Sequence, residues 1–269
     1  MTNNKTLGSF RLDGKWALVC GASKGIGAAA ARALADLGAD VTLVARTEKS
    51  LTATFQQLTA VGRQRHGYFT ADFDDPPGLQ AALDEWLKHN SKVHILVNNT
   101  GGPPGGPVTA AKPEEFLAAF NRHLICNQIL VQTIWPRMRE AGYGRIINVI
   151  STSVKEPIKG LGVSNTVRGA VASWAKTLAG ELGQYGITVN NVLPGFTRTA
   201  RMESLFSARA EKEKRSVAEI EAEARSHIPL GRIADPDEIG AAIAFLATPA
   251  ASYISGVSLP VDGGRIQSL

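Results

Sequence analysis

The stretch Trp16–Gly27, WALVCGASKGIG, constrains the fold more than any other part of this chain. Its apolar half, Trp16–Cys20, is bounded by turn residues and predicts a buried parallel strand. Gly21, Gly25 and Gly27 follow, and an Ala-rich helical run comes next. Glycines let backbone approach a ligand closely, and a helix N-terminus carries partial positive charge. A strand, a glycine turn and a helix in this order predict a pyrophosphate-binding site.

The rest of the chain alternates between short apolar runs and amphipathic helical runs. This alternation predicts one α/β domain, with a seven-stranded parallel sheet and helices on both faces. The predicted strands are 16–20, 40–45, 68–71, 93–97, 144–150, 187–193 and 256–261. The predicted helices are 28–37, a stretch to Val61, one through 79–87, 113–140, 161–184 and 235–246.

Two segments fall outside this alternation. Residues 1–14 are expected to form a loose N-terminal arm before the domain at 15–269. Residues 199–227 are highly charged, with apolar side chains at helical spacing, and predict helices that form a lid over a site.

Composition excludes several function classes. The 269 residues are 44% hydrophobic and 20% charged, and the net charge of +5 is spread along the chain. No basic stripe interleaved with aromatic residues suggests nucleic-acid binding. The two cysteines, Cys20 and Cys126, lie in apolar runs and predict buried thiols rather than a metal site or a disulfide framework. No membrane span or signal peptide is expected, so we predict a cytoplasmic protein.

Several further motifs occur in a characteristic order between residues 12 and 264. They are GASKGIG at 21–27, Asp72, NNTG at 98–101, GRIINVIS at 144–151, PGFTRT at 194–199, IPLGRIADPDEIG at 228–240 and SGVSLPVDGG at 255–264. Together they resemble the short-chain dehydrogenase/reductase superfamily, and most closely the bacterial 3-oxoacyl-[acyl-carrier-protein] reductases. The resemblance implies a single-domain Rossmann fold and hydride transfer between a nicotinamide and a carbonyl or hydroxyl substrate.

The resemblance also implies a set of residues that bind the cofactor. Asp72 would bind the adenine, Asn99 and Gly101 would lie near the adenosine ribose, and the segment 194–199 would lie along the nicotinamide. The implied set is Gly21, Ser23, Lys24, Gly25, Ile26, Gly27, Arg46, Asp72, Phe73, Asn99, Gly101, Arg168, Pro194, Gly195, Thr197 and Thr199.

The end of the second predicted strand indicates which nicotinamide cofactor is preferred. A carboxylate at this position binds the ribose hydroxyls and repels a 2′-phosphate. Here Ala45 is followed by Arg46, and Lys24 lies in the glycine turn. Two cations without an acid favour NADP(H), with NAD(H) as the alternative and a solvent-facing Arg46 as the simplest competing explanation.

The proton-transfer residues depart from the family pattern. The family uses Asn, Ser, Tyr and Lys, and the flanking motifs place these four positions at His123, Ser151, Ser164 and Arg168. A serine hydroxyl is a far weaker acid than the family's tyrosine phenol, whose ordinary pKa is about 10. Arg168 keeps a positive charge but cannot give up its proton in a relay.

Three interpretations remain open at this point. The protein transfers hydride with a proton from another donor, for which His123 and Lys155 are candidates. Alternatively, it binds NADPH with little turnover, as a sensor or a partner subunit, or it catalyses a reaction without net redox. We favour the first interpretation, because the cofactor motifs are complete.

The expected substrate is a small carbonyl compound or acyl thioester, and no metal is expected. Lys155 and Lys159, in the loop after Ser151, would suit an acidic substrate. In the resembled family the two long helices pack across a two-fold axis, so we expect a homotetramer, with a dimer as the second choice.

Overall fold

The computed structural model describes residues 9–60 and 62–268. Within them, seven strands form one parallel sheet in the order β3-β2-β1-β4-β5-β6-β7, which confirms the predicted Rossmann architecture. The strands are β1 Trp16–Cys20, β2 Asp40–Ala45, β3 Gly67–Thr70, β4 Ile95–Asn98, β5 Gly144–Val149, β6 Ile187–Pro194 and β7 Ser258–Val261. The strand order reverses between β1 and β4, and ligands of such sheets bind in the crevice beyond the strands' carboxyl ends at this point.

Helices connect the strands and cover both faces of the sheet. They are α1 Gly25–Asp36, α2 Glu48–Phe55, α3 Pro76–His89, α4 Pro113–Phe120, α5 Cys126–Glu140, α6 Gly162–Leu182, α7 Ala200–Glu213, α8 Val217–Ser226 and α9 Pro236–Ala247. Asp235 precedes α9 as predicted, and its N–H donates to the Glu238 carboxylate at 2.9 Å, which is one half of a capping box.

Two helices differ from their predicted extents. Helix α2 ends at Phe55. The N–H groups of Gln57 and Leu58 bond to carbonyls only three residues back, which tightens the turn that follows the helix. Its predicted end, Val61, lies outside the described residues. The predicted helix 113–140 is interrupted by a π-helical turn at Asn121–Ile125.

The core has one layer on each face of the sheet. One layer includes Leu34 and Val41 together with α1 and α9, and the other includes Leu83 and Ile134 from α3 and α5. Helices α1 and α9 approach to backbone contact, since a Cβ at Gly240 would lie 2.8 Å from the carbonyl of Ala29. This contact fixes α1 against its neighbour on the same face of the sheet.

Buried amides form a ladder across four neighbouring strands. Asn98 donates from Nδ2 to Oδ1 of Asn148 at 2.8 Å, and Asn148 donates to Oδ1 of Asn191 at 3.0 Å. Asn191 then donates to Oγ of Ser258 at 3.1 Å. These residues are direct register partners on β4, β5, β6 and β7. The ladder therefore ties β4, β5, β6 and β7 together through their side chains.

The charged segment 199–227 forms α7 and α8, as its helical spacing predicts. Met202, Phe206 and Ile220 belong to a small apolar cluster that is separate from the two core layers. On the outer surface, Glu223 accepts hydrogen bonds from Arg209 and Arg215 at 2.5 Å each. Helices α7 and α8, the predicted lid, therefore form a unit with its own small core.

The predicted N-terminal arm is described only in part. Residues 1–8 lie outside the described residues. Leu12 is fully buried, and its N–H donates to the carbonyl of Leu37 at 2.8 Å. The described end of the arm is therefore packed onto the domain rather than loose.

Candidate active site

The glycine turn after β1 has the geometry of a phosphate cradle. Gly21 and Gly25 have φ of +60° and +57°, in the left-handed region that favours glycine. A Cβ at Gly27 would lie 2.2 Å from the carbonyl oxygen of Gly21. Only glycines allow the chain to fold back this tightly, so the first turn of α1 can present its N–H groups to an anion.

Asn99 stabilises the glycine turn through hydrogen bonds to its backbone. Its Nδ2 donates to the carbonyls of Cys20 and Gly21, both at 3.3 Å. A Cβ at Gly21 would lie 2.5 Å from the backbone oxygen of Asn99. Asn99 thus positions the cradle itself, whereas Gly101, the other predicted residue of this strand end, is exposed with open space around it.

The other residues of the turn differ in exposure, because one faces solvent and another packs against the core. Lys24 is exposed at the N-cap of α1 and makes no side-chain capping bond. Ile26 packs against the core, and the carbonyl of Ser23 accepts a hydrogen bond from Thr54 at 3.2 Å. Lys24 is therefore the charged side chain of the turn that remains exposed to solvent.

The end of β2 carries the predicted adenosine-side cation. The Arg46 side chain is 67% exposed and lies 3.8 Å from the Asp74 carboxylate. Asp74 has a closer partner, since Nε of Arg122 donates to it at 2.6 Å. Asp72 is exposed, and its Oδ1 accepts the N–H of Asp74 at 2.9 Å.

Phe73 contributes to the site through its backbone at most. Its side chain is buried in the core layer on the side of α3, and its carbonyl accepts a hydrogen bond from the Cys126 thiol at 3.3 Å. A cofactor contact by the ring does not fit this position, because an aromatic ring inside the core cannot also face a ligand, so the predicted contact of Phe73 would be made by its backbone.

The segment after β6 connects the glycine turn to the lid. Thr199 caps α7 by accepting the N–H of Met202 at 3.3 Å. Its methyl carbon would lie 3.2 Å from a Cβ at Gly25, so Thr199 lies against the turn. Thr197 is buried and donates to the carbonyl of Gly195 at 3.1 Å. Pro194, the last residue of β6, is partly exposed at the carboxyl edge of the sheet.

Ser151 and Arg168 lie at the end of β5. Ser151 accepts the N–H of Ser153 at 3.1 Å through Oγ. The Arg168 side chain is buried, with 8% of the residue exposed, and its Nη1 donates to the carbonyl of Val149 at 2.9 Å. Ser164 is partly exposed one helical turn before Arg168, so both lie on one face of α6.

His123 lies in the π-helical turn and is 2% exposed. Its Nδ1 lies 2.6 Å from Oγ1 of Thr100, while Nε2 has no hydrogen-bond partner among the described atoms. Burial, reinforced by the positive charges of Arg168 and Arg122, holds the pKa of His123 well below its usual range. The imidazole is therefore neutral at physiological pH.

Two residues of this region were missed by the sequence analysis. Thr100 lies within the NNTG motif at 98–101, but no role was predicted for its hydroxyl. Arg201 was noted only as one charge of the lid. It donates from Nη2 to the carbonyl of Pro103 and joins α7 to the loop after β4. Its position next to Arg168 depends on the tertiary fold.

The tyrosines lie in structural positions. Tyr143 donates to the carbonyl of Ala247 at 2.5 Å, and Tyr68 packs edge-on against Phe55. Tyr185 packs against Trp135, and Tyr253 is fully exposed. None of them is at the position that the family's acid would occupy.

Other classes of site are not found in the described part of the chain. It contains no group of three or more His, Cys, Asp or Glu side chains that could hold a metal ion. No helix in the described ranges combines the length and apolar character needed to cross a membrane.

Similarity to known proteins extends over nearly the whole chain and agrees with the fold. A family model described as enoyl-(acyl carrier protein) reductase matches residues 21–265. A 3-oxoacyl-[acyl-carrier-protein] reductase from Vibrio cholerae is 34% identical over 95% of this chain and 98% of its own length. A D-threitol dehydrogenase from Mycolicibacterium smegmatis is also 34% identical, over 95% of this chain and 94% of its own.

Among solved structures, L-sorbose reductase from Gluconobacter frateurii, complexed with NADPH and L-sorbose, has a TM-score of 0.90. It is 27% identical, and the match covers 97% of this chain and all of that one. The fold and the cradle define a dinucleotide-binding α/β protein. This chain belongs to the short-chain dehydrogenase/reductase superfamily, a family of NAD(P)-dependent oxidoreductases.

Proposed function

We propose that this protein is an NADP(H)-dependent oxidoreductase that acts on a carbonyl or hydroxyl substrate. A 3-oxoacyl-type ketone is the leading substrate candidate, in view of the similarity to the Vibrio cholerae reductase. The observation that carries the proposal is the braced cradle formed by Gly21, Gly27 and Asn99. A bound nicotinamide cofactor would supply or accept the hydride.

The charges around the cradle support NADP(H) over NAD(H). The end of β2 presents Arg46 where a carboxylate would bind ribose hydroxyls, and Lys24 is exposed in the turn. Arg46 has only a distant contact to Asp74 at 3.8 Å. Its guanidinium can therefore turn to a 2′-phosphate at little cost, because exposed ion pairs of this kind contribute little.

On the substrate side, Ser151 and Arg168 are proposed to stabilise the oxygen that gains negative charge during reduction. The Ser151 hydroxyl accepts one backbone N–H and retains its own hydrogen for donation. Arg168 supplies a buried positive charge one helical turn from Ser164. Fixed hydrogen-bond donors of this type stabilise a developing negative charge more strongly in a site that excludes water than in bulk water.

His123 is proposed to pass protons rather than to store one. Its neutral imidazole can accept a proton on one nitrogen while it gives one from the other. Its short contact to Thr100 connects it to a partly exposed hydroxyl. Lys155, which the sequence suggested as another donor, is exposed. We therefore prefer the His123–Thr100 pair.

A second candidate function is NADPH binding with weak turnover, as a sensor or a partner subunit. The supporting observation is the chemistry of the predicted proton-transfer positions, where Ser164 stands in place of a phenol and His123 is neutral. Both functions require the cradle, so cofactor affinity does not separate them and turnover does.

Two measurements test the proposal. Calorimetric titration is expected to give tighter binding of NADPH than of NADH. NADPH oxidation is then followed with a panel of ketones and 3-oxoacyl thioesters. Tight NADPH binding without turnover of any carbonyl would favour the second function, and no affinity for either cofactor would reject both.

A restoration variant tests the proposed descent from a reductase with the usual acid. Ser164→Tyr combined with Arg168→Lys puts a phenol and an amine at the two family positions. We expect increased reduction of 3-oxoacyl thioesters. The single change Ser164→Phe, which adds the ring without the hydroxyl, is the matched control and is expected to give no increase.

A further inference from the structure

Two guanidinium groups lie close together beside the candidate active site. A Cβ built on Gly102 would lie 3.6 Å from Nη2 of Arg201 and 3.8 Å from Nη2 of Arg168. Both arginines therefore reach the same small volume, next to a residue without a side chain. They come from different elements, α7 of the lid and α6 of the domain.

Neither arginine is neutralised within the described residues. Among the described residues their side-chain hydrogen bonds go to backbone carbonyls, that of Val149 for Arg168 and that of Pro103 for Arg201. Nε of Arg168 is buried without a hydrogen-bond partner among the described atoms. Buried charges in proteins are normally paired, because an unpaired one is costly.

The electrostatic state of the neighbourhood reflects this excess of positive charge. Burial, together with the nearby charge of Arg201, lowers the pKa of Arg168 to about 10, and burial also lowers the pKa of Arg201. An ionisable neighbour, His123, has its pKa held well below the usual range by burial and by the same cations, so it adds no further positive charge. An anion between the two guanidinium groups would relieve their mutual repulsion and satisfy their free donors.

We propose that the substrate carries a carboxylate and that this carboxylate binds between Arg201 and Arg168. The inference rests on the proposed function, since it assigns the substrate class of the same site. The planar guanidinium fork matches a carboxylate with two parallel hydrogen bonds. Arg201 is then a specificity-determining residue that recognises the charge, while Arg168 serves both the carboxylate and the reacting oxygen.

This assignment differs from the cation pair that the sequence suggested for an acidic substrate. Lys155 and Lys159 are both exposed. An exposed lysine contributes little to the recognition of an anion because water screens the charge. Arg201 is half-buried and fixed by its bond to Pro103, so its charge is held in place before a ligand arrives.

The test uses pairs of compounds that differ only in charge. Short 2-, 3- and 4-oxo acids are compared with their methyl esters as substrates for NADPH oxidation by the full-length protein. Binding of each acid is also measured by calorimetry, with and without saturating NADP⁺. For at least one pair we expect the acid to have a kcat/KM about 10-fold or more above that of its ester, since hydrogen bonds to charged groups are the strong ones.

Arg201→Gln is the decisive variant, and Arg198→Gln is its matched control. Arg198 lies three residues earlier, is half-exposed, and has a distant ion pair with Glu221 at 3.9 Å. Arg201→Gln is expected to reduce kcat/KM and affinity about 10-fold or more for the acid and to change the ester little. Arg198→Gln is expected to leave the acid-to-ester ratio unchanged. If Arg201→Gln does not fold, Arg201→Lys is used instead, because it retains the positive charge without the planar guanidinium. It is expected to lower the acid-to-ester ratio of kcat/KM by a smaller factor.

The outcomes separate this inference from the proposed function. Equal use of acid and ester in every pair, or no binding of any acid, overturns the inference while NADPH oxidation still supports the function. If an acid binds in a way that depends on Arg201 but no substrate is reduced, the result supports the inference and contradicts the proposed function. A loss of NADPH affinity in Arg201→Gln, with unchanged acid binding, would assign the anion to the cofactor's phosphates and overturn the inference.

Discussion

The amide ladder beneath the site allows a quantitative test of the fold. Asn148 is fully buried, accepts a hydrogen bond from Asn98 at 2.8 Å and donates one to Asn191 at 3.0 Å. Asn148→Ala leaves two buried groups without partners, the donor Nδ2 of Asn98 and the acceptor Oδ1 of Asn191. Each such group costs about 1–3 kcal/mol, so the expected loss is about 2–6 kcal/mol in the free energy of unfolding.

Urea denaturation followed by circular dichroism measures this loss, with equal m-values as evidence that both proteins unfold in the same way. Ser258→Ala is the matched control, because it removes one hydrogen bond at the end of the ladder from a partly exposed residue. The control leaves one buried donor, Nδ2 of Asn191, without its partner and is expected to cost about 1–3 kcal/mol.

A double variant then checks the coupling that the ladder implies. Asn98→Ala removes the donor that Asn148→Ala leaves unpaired, so the two changes together should cost less than the sum of the separate changes. The reasoning is refuted if Asn148→Ala costs no more than Ser258→Ala, or if the costs of the two asparagine changes simply add.

Three further predictions concern the cradle, the cofactor and the pH dependence. Gly27→Ala places a Cβ 2.2 Å from the carbonyl oxygen of Gly21 and therefore distorts the cradle. Fluorescence titration should show NADPH affinity reduced at least about 10-fold. The control Gly183→Ala has open space at its Cβ and should leave NADPH affinity unchanged. Arg46→Asp should reverse the preference for NADPH over NADH in the same titration, and an unchanged ratio would contradict the role of Arg46. Burial lowers the pKa of His94 to about 4, and its Nδ1 accepts the N–H of Trp16 at 2.9 Å. The unfolded chain therefore binds a proton below about pH 6.5 and the folded one only below about pH 4, so stability should fall as the pH decreases through that window. His94→Gln, which keeps an acceptor but does not titrate, should flatten this dependence in urea denaturation at pH 4–7.

Much of the fold could be predicted because its local signals agree with one another. β1 and β2 have the predicted bounds, since each apolar run ends at a turn residue. The π-helical turn at Asn121–Ile125 could not be predicted, because it differs from the α-helix in hydrogen bonding rather than in composition. The early end of α2 was missed because the residues after Phe55 still have helical spacing.

The candidate site could be predicted only where its residues are neighbours in sequence. The cradle followed from the spacing of its glycines, and the family pattern indicated His123, Ser151, Ser164 and Arg168. Their catalytic roles stay predictions. Arg201 could not be assigned, because its approach to Arg168 joins residues far apart in the chain. The buried ring of Phe73 was missed because the sequence does not show which face of a loop points inward.

The close contact of α1 with α9 has a consequence for local stability. Helix α1 is held in backbone contact with α9 at Gly240, so it can unfold only when much of the core unfolds with it. Helices α7 and α8, in contrast, pack mainly against one another. Proteins often unfold in such separate cooperative units. Amide hydrogens of the phosphate-binding helix should thus exchange with solvent at the slow rate of global unfolding, while those of the lid exchange through local melting that leaves the sheet intact.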